Sequence, residues 1–381
     1  MNETGGGGPA GPAATREYLA DLRGEELLRW RTAAFPGRAT AVERGIDLPL
    51  PFGWFAICYS EELAAGQVKA MRYFGRDLAL WRGADGRARM LDAYCRHLGA
   101  NMAFGGRVHG DYLECPFHSW RYDGTGAVCE IPYARVIPPQ ARRECVRHWP
   151  TAEKNRLVWA WYHPDAVAPL WEVEDFPETL DPEWTEYEKH EWLVYCPLQT
   201  MAENGVDVAH FRYIHGTASY PDWEVKMDGH RRETTVTAKM QTPRGTVDGT
   251  ISAGVVGPGQ PWTRFTGICE TLLVTGCTPV EKDTVHLRFA FTQQRADRDG
   301  PRAGVARAII RDICRQLDQD KVVWDRQRHV AQPLLCDGDG PIRAFRDFFR
   351  QFYAEWHRED GPKVVSAQRM QRKARTQAPP R

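Results

Sequence analysis

Four side chains able to hold a soft metal fall in one short stretch of the chain. Cys95 and His97 stand as C-x-H and, after a gap of seventeen residues, Cys115 and His118 stand as C-x-x-H. Each half supplies one thiolate and one imidazole. A Rieske 2Fe-2S cluster needs that division, because one iron takes two cysteines and the other takes two histidines. Structural zinc is the other use of a Cys2His2 set, but zinc sites pair Cys with Cys and His with His along the chain. The order found here favours the cluster. Gly99, Gly105 and Gly106 allow the tight backbone that brings amide N–H groups towards cluster sulfides, and Pro116 stiffens the second loop.

A second constellation lies in MAENGVDVAHFRYIHG, where Asp207, His210 and His215 form D-x-x-H-x-x-x-x-H. Two histidines and one carboxylate make the facial triad of a non-haem Fe(II) site, with positions left open for other ligands. Residues five apart on a straight helix point about 140° from each other, so the helix must end or bulge between Phe211 and Ile214. Asp207 shares the face of His210 and suits a supporting role, orienting that ligand or carrying an electron towards it. The carboxylate ligand must come from elsewhere. The helical pattern ARAIIRDICRQLDQDKVVWDRQ offers Asp312, Asp318, Asp320 and Asp325. Ile309, Ile313, Leu317 and Trp324 span a stripe of about 80°; Asp320 falls inside it, and Asp318 and Asp325 are expected on the opposite side. A carboxylate on a buried face needs either a metal or a core arginine. Asp320 is taken as the third iron ligand.

The elements that must position these groups divide the chain into four parts. Residues 1–47 read as an N-terminal extension: about 14 Gly/Pro/Ala-rich residues, including the glycines at 5–8, are expected to be disordered. A helical pattern using Tyr18, Leu19, Leu22, Leu27 and Leu28 follows. Residues 48–165 alternate apolar runs (WFAICYS, LALWRG, ARMLDAY, RLVWAWYH) with Gly/Asp turns, as a small all-β domain carrying the cluster motif on its loops. After a proline-bearing boundary, residues 166–360 mix strand and helix patterns, giving an α+β chain, and the sheet segments from Val247 to Thr292 are expected to line a substrate cavity. Residues 361–381 read as a basic, solvated tail.

Composition excludes several roles. Fifty Lys+Arg balance fifty Asp+Glu, so nothing points to nucleic acid or an anionic membrane as partner. There is no run of about 18 apolar residues and no signal-peptide pattern, and the chain is expected in the cytoplasm without a transmembrane segment. The eight cysteines outside the motif lack paired spacing and are expected to be reduced thiols. His109 and His329 sit in polar surroundings and are expected at the surface. No G-x-G-x-x-G marks a nucleotide site, so NAD(P)H electrons must arrive through another protein.

CRHLGANMAFGGRV, CPFHSW, NGVDVAHFRYIH and QDKVVW together resemble the oxygenase components of Rieske non-haem iron oxygenases. With IPYARVIPP they are similar to the steroid-acting branch, which includes 3-ketosteroid 9α-hydroxylase and cholesterol 7-desaturase. The resemblance covers roughly residues 50 to 355. It implies a Rieske domain followed by a helix-grip (START-like) catalytic domain, and a homotrimer in which one subunit's cluster faces its neighbour's mononuclear iron. Asp207 would bridge His210 to His118 of the adjacent chain. It further implies O2 as co-substrate, a separate ferredoxin or flavin reductase as electron donor, and a hydrophobic substrate, a steroid or, as an alternative, another aromatic or alicyclic ring. A plain Rieske electron-transfer protein would need only about 100 residues, and this chain has some 200 more. Arg96 departs from the branch, which often has proline there.

Overall fold

The computed structural model describes residues 22–33, 39–216, 222–242, 245–267, 269–360 and 368–372. The Gly/Pro/Ala-rich start, Tyr18, Leu19 and most of the basic tail lie outside the described residues.

The four apolar runs of the first domain are strands, Gly53–Tyr59, Arg76–Arg82, Ala88–Asp92 and Leu157–Tyr162. Gly53–Tyr59 and Leu157–Tyr162 pair antiparallel with Thr151–Lys154 in one sheet. Val68–Tyr73, Arg76–Arg82, Ala88–Asp92 and His148–Trp149 form a second. A third, smaller sheet of Arg107–His109, Tyr112–Glu114, Arg121–Tyr122 and Val128–Glu130 carries the two motif loops and has its own core of Trp81, Met102, Leu113, Tyr122 and Val146.

Gly53–Tyr59 and Leu157–Tyr162 are buried at every position, with no alternation of inner and outer residues. Such continuous burial requires cover on both faces. The second domain supplies it: Gly276 packs so closely on Ala56 that a Cβ would meet the alanine methyl at 2.6 Å. Thr278 Oγ1 and Arg288 Nη1 both donate to the Ala56 carbonyl, at 2.5 and 3.1 Å. One apolar core therefore runs from Phe55 and Trp159 through Val274 and Phe291 to Phe349. The two sequence domains share a core.

The second domain is an eight-stranded antiparallel sheet. Its order begins with Glu188–Val194, continues through Thr284–Gln293, Thr271–Glu281, Gln260–Thr266, Gly245–Val256, Arg231–Thr242 and Asp222–Asp228, and ends on Gln368–Arg372. The last strand corrects the expectation of a solvated tail. Gln368–Arg372 pairs with Asp222–Asp228, Val225 opposite Met370, because a chain returning to an open sheet edge can satisfy its backbone groups there. The long helix Ala303–Trp324 packs against the opposite edge strand, Glu188–Val194.

That helix also differs from its expected stripe. Its buried residues are Ala306, Ile310, Cys314, Leu317, Asp318, Asp320, Lys321 and Trp324, and Asp325 beyond its end is buried too. At 100° per residue, Asp320 and Asp318 lie roughly 160° apart, on the two flanks of one broad buried face. The reason is the N-terminal segment. Helix Gly24–Thr32 covers the second flank, where Arg31 donates to both carboxylate oxygens of Asp318 (2.8 and 2.7 Å) and Trp192 Nε1 donates to Oδ1 (2.8 Å). Asp325 accepts from Lys321 Nζ and the Tyr195 N–H. The N-terminal helix thus packs on the second domain, and Asp318, not Asp320, is the acid held by a core arginine.

Candidate metal centres

The two motif loops have the same construction. In the first, the Cys95 N–H donates to the Ala100 carbonyl and the Gly99 N–H to the Cys95 carbonyl. In the second, the Cys115 N–H donates to the Trp120 carbonyl and the Ser119 N–H to the Cys115 carbonyl. Each loop closes on its own cysteine. Gly105 adopts φ +82°, and a Cβ on Gly106 would overlap the Met102 carbonyl, so the connection between the loops requires both glycines. The thiols of Cys95 and Cys115 are buried and lie beside each other, and burial pushes the Cys115 thiol up while the N–H groups of Phe117 and His118 draw it down. Tyr122 OH sits 3.1 Å from Cys95 Sγ and accepts the Arg96 N–H at 3.1 Å, so its proton is available to a Cys95 thiolate.

His97 and His118 complete the set, their rings 4.7 Å apart and inclined at 73°. His97 Nδ1 is buried with no hydrogen-bond partner. An orphaned ring nitrogen beside paired thiols is costly unless a metal takes its lone pair. The donor set therefore fits a Cys2His2 cluster.

The second centre is assembled from distant segments. Helix Ala209–Tyr213 stops where the five-residue spacing required; Ile214 and His215 follow outside it, and Gly216 turns the chain at φ +72°. This break swings His215 back to His210. One ligand atom from each of His210, His215 and Asp320 lies within 4.8 Å of the others. Their side chains are 8, 3 and 9% exposed.

Each histidine is oriented by an oxygen that can only accept. His210 Nδ1 lies 2.5 Å from the Asp207 carbonyl, and His215 Nδ1 lies 3.0 Å from Gln319 Oε1. Both Nδ1 atoms must carry the proton, leaving the Nε2 lone pairs for a cation. Asn204 Nδ2 stands at 3.2 Å from His210 Nε2 and 3.1 Å from Asp320 Oδ2, spanning two members of the triad. Burial holds the His210 pKa below its ordinary value. At His215 burial acts the same way, but the Asp320 carboxylate at 3.3 Å and Gln319 outweigh it and hold that pKa above. Two nitrogens and an oxygen converging in a poorly hydrated spot fit a mononuclear metal.

Asp207 is placed differently from expectation. Its backbone carbonyl, not its carboxylate, orients His210; Oδ2 is 3.9 Å from Nδ1. Oδ1 instead accepts from the N–H groups of Ala209 and His210 and caps the short helix. The carboxylate is 39% exposed. His109 is exposed, and His329 is half-buried with its N–H on the Arg44 carbonyl. Neither joins a centre. Asn204 and Gln319 went unrecognised in the sequence; Asn204 lies inside the quoted NGVD stretch and Gln319 directly precedes Asp320. Among the described residues all ten cysteines are free.

Family models match both halves of this arrangement. The Rieske [2Fe-2S] domain matches residues 53–147, and the 3-ketosteroid 9α-hydroxylase C-terminal domain matches residues 160–353. The chain is a Rieske oxygenase of the 3-ketosteroid 9α-hydroxylase family. The oxygenase is 31% identical over 348 residues to cholesterol 7-desaturase of Bombyx mori, covering 84% of this chain and 73% of that protein. It is 32% identical over 364 residues to cholesterol 7-desaturase of Caenorhabditis elegans, covering 86% and 82%. With the 3-ketosteroid-9-alpha-monooxygenase oxygenase component of Rhodococcus rhodochrous it shares 29% over 327 residues, covering 80% and 82%. Solved structures share its fold: dicamba monooxygenase bound to 3,6-dichlorosalicylic acid at a TM-score of 0.66 and 20% identity, covering 79% of the oxygenase and 96% of that chain. NdmA of Pseudomonas putida, a QL mutant with theobromine, has a TM-score of 0.67 at 20% identity, covering 85% and 97%. The oxygenase is therefore an oxidoreductase, built as an all-β Rieske domain followed by an α+β catalytic domain.

Proposed function

We propose that the oxygenase is the terminal component of a monooxygenase that uses O2 and electrons from a separate NAD(P)H-dependent ferredoxin or flavin reductase to oxidise a steroid or sterol. One oxygen atom enters the substrate, and the other leaves as water with two electrons and two protons. The observation that carries this reading is the convergence of His210, His215 and Asp320 within 4.8 Å in a chain that also holds a Rieske domain. Relatives named for cholesterol and 3-ketosteroids support the substrate class.

Cys95, His97, Cys115 and His118 would hold the cluster, and His210, His215 and Asp320 the mononuclear iron. When bound, these groups supply one-electron transfer and O2 activation. The protein's part is to fix the Nε2 lone pairs through the Asp207 carbonyl and Gln319, and to exclude bulk water from the triad. Asp207 would act as the electron bridge, its exposed carboxylate meeting His118 of a neighbouring chain in a homotrimer. Phe117 and Tyr133, 61 and 62% exposed beside His118, supply the apolar surface for that neighbour. The cytoplasm suits a chain of free thiols fed by NAD(P)H, and among the described residues no helix is long and apolar enough to cross a membrane.

Electron paramagnetic resonance of the dithionite-reduced, nitric-oxide-treated protein tests this reading. The expected spectrum is a Rieske signal plus an iron-nitrosyl signal that a 3-ketosteroid or a 3β-hydroxysterol reshapes. A Rieske signal without the nitrosyl species in iron-replete protein would reduce the chain to an electron carrier. Asp207→Asn should retain both signals and lose about 10- to 100-fold in turnover; full turnover with both metals present would remove the bridge.

A further inference from the structure

The cluster has a second exposed flank besides the one at His118. Trp120 stacks on His97 with ring centres 4.7 Å apart and an interplanar angle of 7°. The same tryptophan forms a wall of a cleft of about 420 Å³, lined by Arg96, Trp120, Pro138, Gln140, Glu144 and Cys145. The cleft is thus one aromatic ring away from a cluster ligand. The His97 and His118 rings meet edge to face at 73°, with Trp120 stacked on His97 and Phe117 against His118.

Positive charge predominates around this cleft. Arg96, Arg135, Arg142 and Arg143 are all exposed, and among the described residues none of them is in an ion pair. Arg135 follows Tyr133, which accepts a hydrogen bond from Trp120 Nε1 at 2.8 Å. Arg142 and Arg143 lie between the cleft residues Gln140 and Glu144. Of the nearby acids, Glu114 and Glu130 share Arg121, Glu144 on the cleft wall bonds His148, and Asp123 accepts from Thr125 in its own turn. In a chain whose charges balance overall, four guanidinium groups outside any ion pair, in or next to the segments that line the cleft, make a local positive field.

We infer that this cleft is the docking site of the electron donor, and that the donor presents an acidic surface, so that electrons enter through Trp120 and His97 and leave through His118. The inference rests on the oxygenase reading and names the partner chemistry of its cluster. In the transfer one electron passes from the reduced donor, which is oxidised, to the oxidised cluster held by Cys95, His97, Cys115 and His118, which is reduced. No bond is made or broken. Arginine guanidinium groups suit such a surface, since they are always charged and pair carboxylates bidentately.

The test is stopped-flow reduction of the oxidised, iron-loaded oxygenase by a reduced acidic plant-type 2Fe-2S ferredoxin, with reduced methyl viologen as a small cationic control. Native protein should be reduced faster at low salt than at high salt. The double variant Arg142→Glu/Arg143→Glu should lose about tenfold or more in the second-order rate at low salt, and the loss should shrink as salt rises. Its cluster midpoint potential and Rieske spectrum should stay native, and its rate with cationic methyl viologen should not fall. A salt-independent native rate, no reduction by the ferredoxin, or an unaltered double variant each overturns the inference. So does an equal loss in Arg307→Glu/Arg311→Glu, exposed arginines of the long helix far along the chain, because that would report net charge alone. No steroid enters the assay, so failure of the substrate reading leaves this result standing, and absence of a dithionite-reducible Rieske signal identifies failure of the cluster itself.

Discussion

The two candidate metal centres are built on opposite plans. The proposed cluster ligands come from two loops within one stretch of the first domain, each closed by its own backbone hydrogen bonds, with both histidines half-buried. The triad draws on a helix end and a second helix more than a hundred residues later, and its ligand side chains are under a tenth exposed. A centre that exchanges electrons with other proteins needs ligands at a surface, and backbone loops can hold them there. A centre that handles reactive chemistry needs exclusion of water, and only packed tertiary structure provides it. The supporting groups follow the same division: local N–H groups and one tyrosine at the cluster, side chains from other segments at the triad.

If the centres are independent structures, each can be destroyed alone. Asp320→Ala should abolish mononuclear iron and turnover while the Rieske spectrum stays native; Cys115→Ser should do the reverse, eliminating the Rieske signal and leaving the nitrosyl signal. Iron analysis with paramagnetic resonance reads both, and retention of triad iron in Asp320→Ala would remove that residue from the ligand set. A smaller effect is expected where a tertiary contact orients a ligand. Gln319→Leu removes the acceptor for His215 Nδ1 and should weaken iron affinity roughly 10- to 100-fold, measured by chelator competition, with the cluster unchanged. Unchanged affinity would mean that packing alone orients His215. The smallest effect belongs to the locally built centre. Tyr122→Phe deletes one hydrogen bond to Cys95 Sγ, and a bond of about 1 kcal/mol corresponds to roughly 40 mV for one electron, so the cluster midpoint should fall by tens of millivolts in protein-film voltammetry. A potential that rises or stays fixed would show that Tyr122 serves only the Arg96 N–H.

Particular residues explain what could be read in advance and what could not. The candidate cluster site was legible because all four proposed ligands and their glycines sit in one motif, where spacing alone constrains geometry. His210 and His215 were legible for the same reason, and their spacing even required the helix to end or bulge between them. Asp320 was reached by periodicity, but the stripe used to reach it was displaced: Asp318 and Asp325 are buried as well, because helix Gly24–Thr32 covers the flank that the long helix by itself would leave in water. Asp207 illustrates a different gap, since spacing cannot tell a carboxylate from its own backbone carbonyl as the group that holds His210.

The sequence by itself determined the ligand types, the break after Tyr213, the strands of the first domain and the order of the two domains, all of which depend on neighbours within a few residues. Tertiary structure alone decided that the domains share one core through Ala56 and Gly276, that Gln368–Arg372 closes a sheet edge, that Arg31 rather than a metal holds Asp318, and that Asn204 and Gln319 frame the triad. These contacts join segments tens to hundreds of residues apart. Local periodicity records which face of an element is apolar, but which distant segment covers that face is fixed only when the whole chain packs.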